Sequence, residues 1–249
     1  MPHIGNKRYA VVSCHVERPL DDRTWRLFAA LQERRPGGFA IAALLRPPDL
    51  AAGEPEGRWV ARAHEAAARG PLGHHTHFGG VSQARPVGPG AVERVRREAL
   101  WLRAQGLDPL FFCGGAWYLD PDVADALAEL GYADCTATAF RPAYLPAGAP
   151  RVALDEPAWL RLPTGRRLLE LPTTHSLGML VRAALRPGAL AEPLVHAYFH
   201  DTDLLDNRRR RALELGLRLL GRRRRPSDLT AVALKVEPSE LDFGTAYAR

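Results

Sequence analysis

Short apolar runs alternate with longer amphipathic ones along nearly all of the 249 residues, and that alternation leaves few folds open. A buried strand followed by a helix, repeated, builds βα units whose strands lie parallel in one sheet. The first apolar run is Tyr9–Val16. A helix follows, capped by Asp21 or Asp22, with Trp25, Phe28 and Leu31 on its inner face. It stops before Pro36-Gly37-Gly38. A strand is then expected over 39–45, a helix over 58–69 and a strand over 72–78.

The next helix spans 91–105, with Val92, Val95, Ala99 and Leu102 along one stripe and Gly106 placed to end it. A short buried strand is expected over 110–112. Asp120-Pro121 supplies an N-cap and a proline at the first helical position, and Val123, Leu127 and Leu130 form the stripe before Gly131. Further strands are expected over 133–137, 167–171, 194–199 and 231–236. The Pro- and Ala-rich stretch 141–163 reads as a long loop placed to lie over a site. No repeat or low-complexity linker divides the chain, so a single α/β domain of barrel-like form over residues 1–249 is expected.

The basic excess, 34 Lys+Arg against 28 Asp+Glu, is concentrated in Arg208–Arg211 and Arg222–Arg225. Leu213, Leu217 and Leu220 lie between these runs at helical spacing, so the arginines read as the wet ends of one amphipathic helix. Without aromatic interleaving or a groove-reading motif, no nucleic-acid partner is expected. Cys14, Cys113 and Cys135 form no CxxC pair and no even-numbered framework, which suits a reducing compartment. No apolar h-region follows the N-terminal residues, and no run reaches the ~18 apolar residues of a membrane span. A cytoplasmic protein with no membrane partner is expected. Oligomeric state is left open.

Polar clusters fall at four expected strand ends: Ser13-Cys14-His15-Val16-Glu17, Gly73-His74-His75-Thr76-His77, Thr173-Thr174-His175 and His200-Asp201-Thr202-Asp203. In a parallel α/β barrel those ends converge on one face, where catalytic groups collect. Six of the nine histidines lie in these clusters. Strand parity puts His15 and Glu17 on one face, as it does His75 and His77, while His74 points the other way. Two imidazoles and a carboxylate are the ligand set of a zinc site that keeps a position open for water. His3, His64 and His74 read as structural.

The order of these segments resembles the NodB homology domain of the polysaccharide deacetylases, carbohydrate esterase family four. Leu72-Gly73-His74-His75-Thr76-His77-Phe78 is similar to that family's second motif, which bears a metal histidine. The run from Phe111 through Cys113-Gly114-Gly115-Ala116-Trp117-Tyr118 to Asp120 is similar to the third. Tyr198-Phe199-His200-Asp201 resembles the fifth, whose histidine is the general acid. The end of the first strand takes the place of the first motif. The resemblance runs from about residue 9 to 236 and implies a distorted (β/α) barrel and removal of an acyl group from an N-acylated amino sugar.

Four positions depart from the family pattern. His15 stands where the base aspartate belongs, and Gly79 where the second metal histidine belongs, with His77 nearby to replace it. Cys113 stands where an arginine orients that base. No Asp-Trp of a fourth motif occurs over 135–140. An arginine would oppose protonation of a histidine base, so the His15 and Cys113 exchanges are coherent together.

The resulting expectation is a divalent metal, zinc foremost, on Glu17, His75 and His77. His15 acts as base or further ligand, and His200 as acid, its neighbouring carboxylates favouring the imidazolium. Cys113, Trp117, Tyr118, His175, Asp201 and Asp203 are the candidates to meet a saccharide or small-molecule substrate. Trp117 and Tyr118 would form its platform. Asp201 and Asp203 would orient His200, bind hydroxyls or cap a helix. Cys14 and Cys113 read as packing residues before nucleophiles. Two alternatives remain on the same fold: metal-independent hydrolysis of a cyclic amide, and an inactive binding protein.

Overall fold

The computed structural model describes residues 8–186 and 188–248; His3 lies outside them. The first half of the chain alternates strand and helix: β1 (Tyr9–Val16), α1 (Asp22–Arg34), β2 (Ala42–Leu45), α2 (Glu56–Ala67), β3 (Leu72–Thr76), α3 (Ala91–Ala104), β4 (Phe111–Gly114), α4 (Pro121–Glu129) and β5 (Ala133–Asp134). Then come β6 (Arg151–Val152), β7 (Ala158–Arg161), β8 (Arg167–Glu170), β9 (His175–Ser176), α5 (Leu177–Ala184), β10 (Leu194–His200) and α6 (Asn207–Arg223). The chain finishes with β11 (Arg225–Pro226), α7 (Leu229–Ala233), β12 (Ser239–Asp242), α8 (Phe243–Ala246) and β13 (Tyr247–Ala248).

Strands β5, β4, β3, β2, β1 and β10 lie side by side, all parallel. One stretch of chain meets both ends of that row, since β8 pairs with β5 and β9, four residues further on, pairs with β10. The staves therefore come round into a distorted (β/α) barrel, with β7 and β12 extending it beyond β8.

Both faces of the staves are buried, as expected of a parallel sheet under helices. On β1, Ala10, Val12, Cys14 and Val16 pack outward with Trp25, Phe28 and Leu31 of α1 and Leu213, Leu217 and Leu220 of α6. Val11 faces inward with Leu44, Phe111, Cys113 and Leu171. Local caps match the side chains available: Asp21 accepts from Thr24 N at 2.7 Å and Asp120 from Val123 N at 2.8 Å, with Pro121 opening α4. The arginine runs flank α6, though Arg224 turns inward and donates to the Glu192 carbonyl at 2.6 Å.

Three expectations change. The run 231–236 is not a strand: Asp228 accepts from Ala231 N and caps α7, whose Leu229 and Val232 are buried three apart. A run of that length supports either period until its cap is seen. The stretch 141–163 is not all loop, because β7 forms an antiparallel hairpin with β8 and β6 pairs with β13 almost a hundred residues away. Strand β2 begins at Ala42, three residues late: Phe39 is already extended, but pairing with β1 starts only at Ala42, opposite Ser13. Among the described residues, no helix is long and apolar enough to cross a membrane.

Candidate metal centre and active-site cleft

The site assembles where β1, β3, β4 and β10 end. Register sets His15 opposite His200, and His75 opposite Cys113. Glu17, two residues past His15 and on the same face, reaches across to β3. Its Oε1 lies 3.2 Å from His75 Nε2 and its Oε2 lies 2.9 Å from His77 Nε2. The two imidazoles stand nearly perpendicular, with centroids 5.1 Å apart. His15 lies beneath them, 4.7 Å from the His75 ring and 5.3 Å from that of His200.

Three overlapping groups here have ligand atoms close enough to share a cation: Glu17, His75 and His77; His15, Glu17 and His200; and His15, His75 and Cys113. Hydrogen-bond accounting favours the first. His75 Nδ1 lies 2.8 Å from the Cys113 carbonyl oxygen, and His77 Nδ1 lies 3.1 Å from that of Val81. Carbonyls only accept, so both Nδ1 atoms carry hydrogen and both neutral rings aim an Nε2 lone pair at Glu17. Two neutral imidazoles thus bring two N–H groups to four acceptors. The arrangement needs two imidazolium rings or one cation, and Nδ1–H donation to a carbonyl is the usual support of a metal-bound histidine. The donor set fits a divalent metal.

Burial by itself would raise the Glu17 carboxyl, but the His75 and His77 rings outweigh it and hold Glu17 far below the ordinary range. Burial pushes His15 well down, and His75 and His200 push it further, so this ring is neutral at rest. His200 corrects an expectation. Burial, together with the nearby His75 and His77, lowers its pKa by more than Glu17 and Asp203 raise it, and the imidazolium is not its resting form.

The three imidazoles nearest Glu17, with Trp117 and Tyr144, line a cleft of about 170 Å³, with His200 at one side. Backbone geometry brings Trp117 there. A Cβ on Gly114 would lie 2.0 Å from the Tyr118 carbonyl oxygen, and one on Gly115 would lie 2.6 Å from that of Ala84. Ala116 and Trp117 then take φ of 47° and 58°, the left-handed region that costs ordinary residues energy. This turn carries the indole over the barrel mouth, where its ring sits 5.3 Å from His15.

Several candidates stand elsewhere. Tyr118 turns away from the cleft, packing on Phe78 with its hydroxyl on Asp120. Cys113 is fully buried behind His15, its Sγ 3.6 Å from His15 Nε2, and burial raises the thiol's pKa. His175 is paired with Ala197, on the parity that points away from the barrel interior, and its Nδ1 meets the Thr174 hydroxyl at 2.9 Å. Asp201 is buried and accepts from Arg18 N at 2.8 Å, and burial raises it to about 6. Asp203 accepts from the backbone N–H of His200 at 3.0 Å and pairs with Arg209, so Asp203 caps the turn after β10 while Asp201 holds the loop after β1. His74 is structural, enclosed by Phe112 and Tyr132 and bonded to Glu98 at 3.0 Å.

Residues the sequence did not single out complete the site. Tyr144 forms its outer wall from the 141–163 stretch, and Tyr198 packs 5.1 Å from His15. Tyr198 was findable, since it shares a face with His200 two residues on. Tyr144 carried no local signal. Below the site, Ser13 Oγ and His196 Nε2 lie 2.9 Å apart, fully buried.

No known family profile matches the sequence, and no curated protein matches it. Solved structures do. A protein assigned to the polysaccharide deacetylases from Mycobacterium smegmatis superposes with a TM-score of 0.64 at 13% identity, covering 97% of this chain and 96% of that one. The Bc1960 peptidoglycan N-acetylglucosamine deacetylase superposes at 0.54 and 12% identity, covering 94% and 91%. A 4-alpha-glucanotransferase from Thermococcus litoralis superposes at 0.57 and 12%, but this chain spans only 39% of its length. At such identities the likeness speaks for the fold alone. The chain thus carries the NodB-type polysaccharide deacetylase fold, far diverged in sequence.

Proposed function

We propose that this protein is a metal-dependent amide hydrolase, acting as a single domain, that removes the acetyl group from an N-acetylated amino sugar or a related small metabolite. The observation that carries this reading is the convergence of four acceptors on the two rings His75 and His77, which a divalent cation would resolve. The His₂Glu donor set suits zinc. Bound there, such an ion would polarise the acyl carbonyl and supply a water acidic near pH ~7.

The protein's own residues do the rest. His15 and His200 are both neutral at rest, so the proton reaching the amine is the one that water surrenders. The imidazole pair takes that proton, and His200, at the cleft wall, returns it to the leaving nitrogen. Tyr144, exposed at the cleft, offers the sugar ring an aromatic face, and the buried indole of Trp117 backs the cleft beneath it. With the rings' pKa values depressed, activity should persist below pH 6.5 before protonation of the pair quenches it. Three free, buried cysteines support action in a reducing compartment such as the cytoplasm.

The test is His200→Ala on zinc-loaded protein. Loss of this group should cost ~10²–10⁴-fold in kcat while metal content and Tm stay those of the parent. His200→Asn should behave alike, since an amide hydrogen-bonds without carrying a proton. Either variant turning over N-acetylglucosamine at the parent rate would refute the assignment.

A further inference from the structure

His200 lines two cavities. Beyond it, away from Glu17, opens a cleft of about 540 Å³, three times the volume of the one that holds the metal ligands. Its walls are the first turns of α5, the Tyr198–Phe199 end of β10, and the start of α6. A substrate whose acyl-amino group lies at Glu17, His75 and His77 can extend past His200 into this larger space.

The charges of that cleft are not balanced. Arg182 projects from α5 and Arg209 from α6. Arg209 is paired with Asp203 at 2.8 Å, which is the cleft's single carboxylate. Arg182 has no acidic partner within 4.0 Å and makes no side-chain hydrogen bond among the described residues. Gly178, one turn earlier, leaves the wall before it open: a Cβ there would come 3.5 Å from Arg182 Nη1. Arg182 is exposed, and a guanidinium with five donors and no acceptor, left unpaired on a cavity that His200 also lines, suits a carboxylate or a phosphate.

We infer that the second cleft is the binding site for an anionic group of the substrate, held by Arg182, so that the protein acts on a negatively charged N-acyl amino sugar. This rests on the deacetylase reading for the identity of the sugar but not for the existence of the anion site.

Calorimetric binding separates the two claims, because it needs no turnover. The probes are N-acetylglucosamine, its 6-phosphate and the corresponding uronic acid, each titrated into metal-loaded protein. The anionic sugars should bind about ten- to a hundredfold more tightly than the neutral one, the range of a charge-assisted hydrogen bond. Preference for the phosphate over the uronate, or the reverse, assigns the anion. Arg182→Gln should abolish the preference. Arg218→Gln, which removes an equal charge from an arginine already bridged to Glu214 on α6, should keep it. No preference in the parent, survival of the preference in Arg182→Gln, or its equal loss in Arg218→Gln overturns the inference. Retained binding without deacetylation would instead sink only the proposed reaction.

Discussion

Replacing His74 and His75 one at a time exploits the fact that adjacent residues on a strand face opposite sides. His75 points into the barrel mouth toward Glu17, whereas His74 is fully buried between the sheet and α3. His75→Ala removes one protein ligand of three and one bond to the Cys113 carbonyl. Its metal occupancy should fall from near one ion per chain to near none, and metal-free protein should lose about 1–3 kcal/mol, since the Cys113 carbonyl is left unpaired. His74→Ala acts in reverse. It strips Glu98 and the Tyr132 hydroxyl of a partner and opens a void beside Phe112. Glu98 keeps Arg94 and Thr76, so the loss is that of a buried side chain with its hydrogen bonds, about 2–5 kcal/mol, which for a chain of this length lowers Tm by roughly 4–20 °C. The metal site, on the other face, should remain loaded. Elemental analysis of dialysed protein and thermal unfolding followed by circular dichroism give the two readouts. Equal metal loss in both variants, or a metal-free parent after purification with zinc, would refute the ligand assignment.

A second buried pair should govern alkaline stability. Asp134 and Glu170 face each other across β5 and β8; burial lifts Asp134 to about 6 and Glu170 further, and each keeps one oxygen without another partner, which a shared proton satisfies. Carboxyls raised in the folded state contribute stability fully present below the unfolded value of about 4 and lost as pH rises through the folded values. Glu170→Gln keeps the acceptor for Ala137 N and donates to Asp134, so the fall in Tm between pH 5 and 8 should flatten; an unchanged slope would show that the pair does not titrate there. The cysteines make a separate check. All three are free, buried and raised in pKa, so a thiol reagent should label none in native protein and three after denaturation, and a disulfide under non-reducing conditions would contradict both the fold and the reducing compartment.

Whatever depends on near neighbours is fixed by short stretches of the chain. The bounds of β1, the Asp21 and Asp120 caps and the inward stripes of α1 and α4 follow from side chains within a few residues. So does the opposition of His74 and His75, since strand parity is a local rule. Tertiary structure alone decided what depends on distant chain. His175 carries the same polar signature as His75, yet its pairing with β10 turns it away from the site. The cap at Asp228, not the apolar pattern, made a helix of 229–233. Tyr144 reaches the cleft from a segment whose strands exist only because β8 and β13 pair with them. Above all, the resting protonation of His200 reversed. Of the aspartates beside it in sequence, Asp203 caps the next turn and Asp201 holds the loop after β1, while burial and the rings of His75 and His77, all properties of the assembled barrel, together lower its pKa.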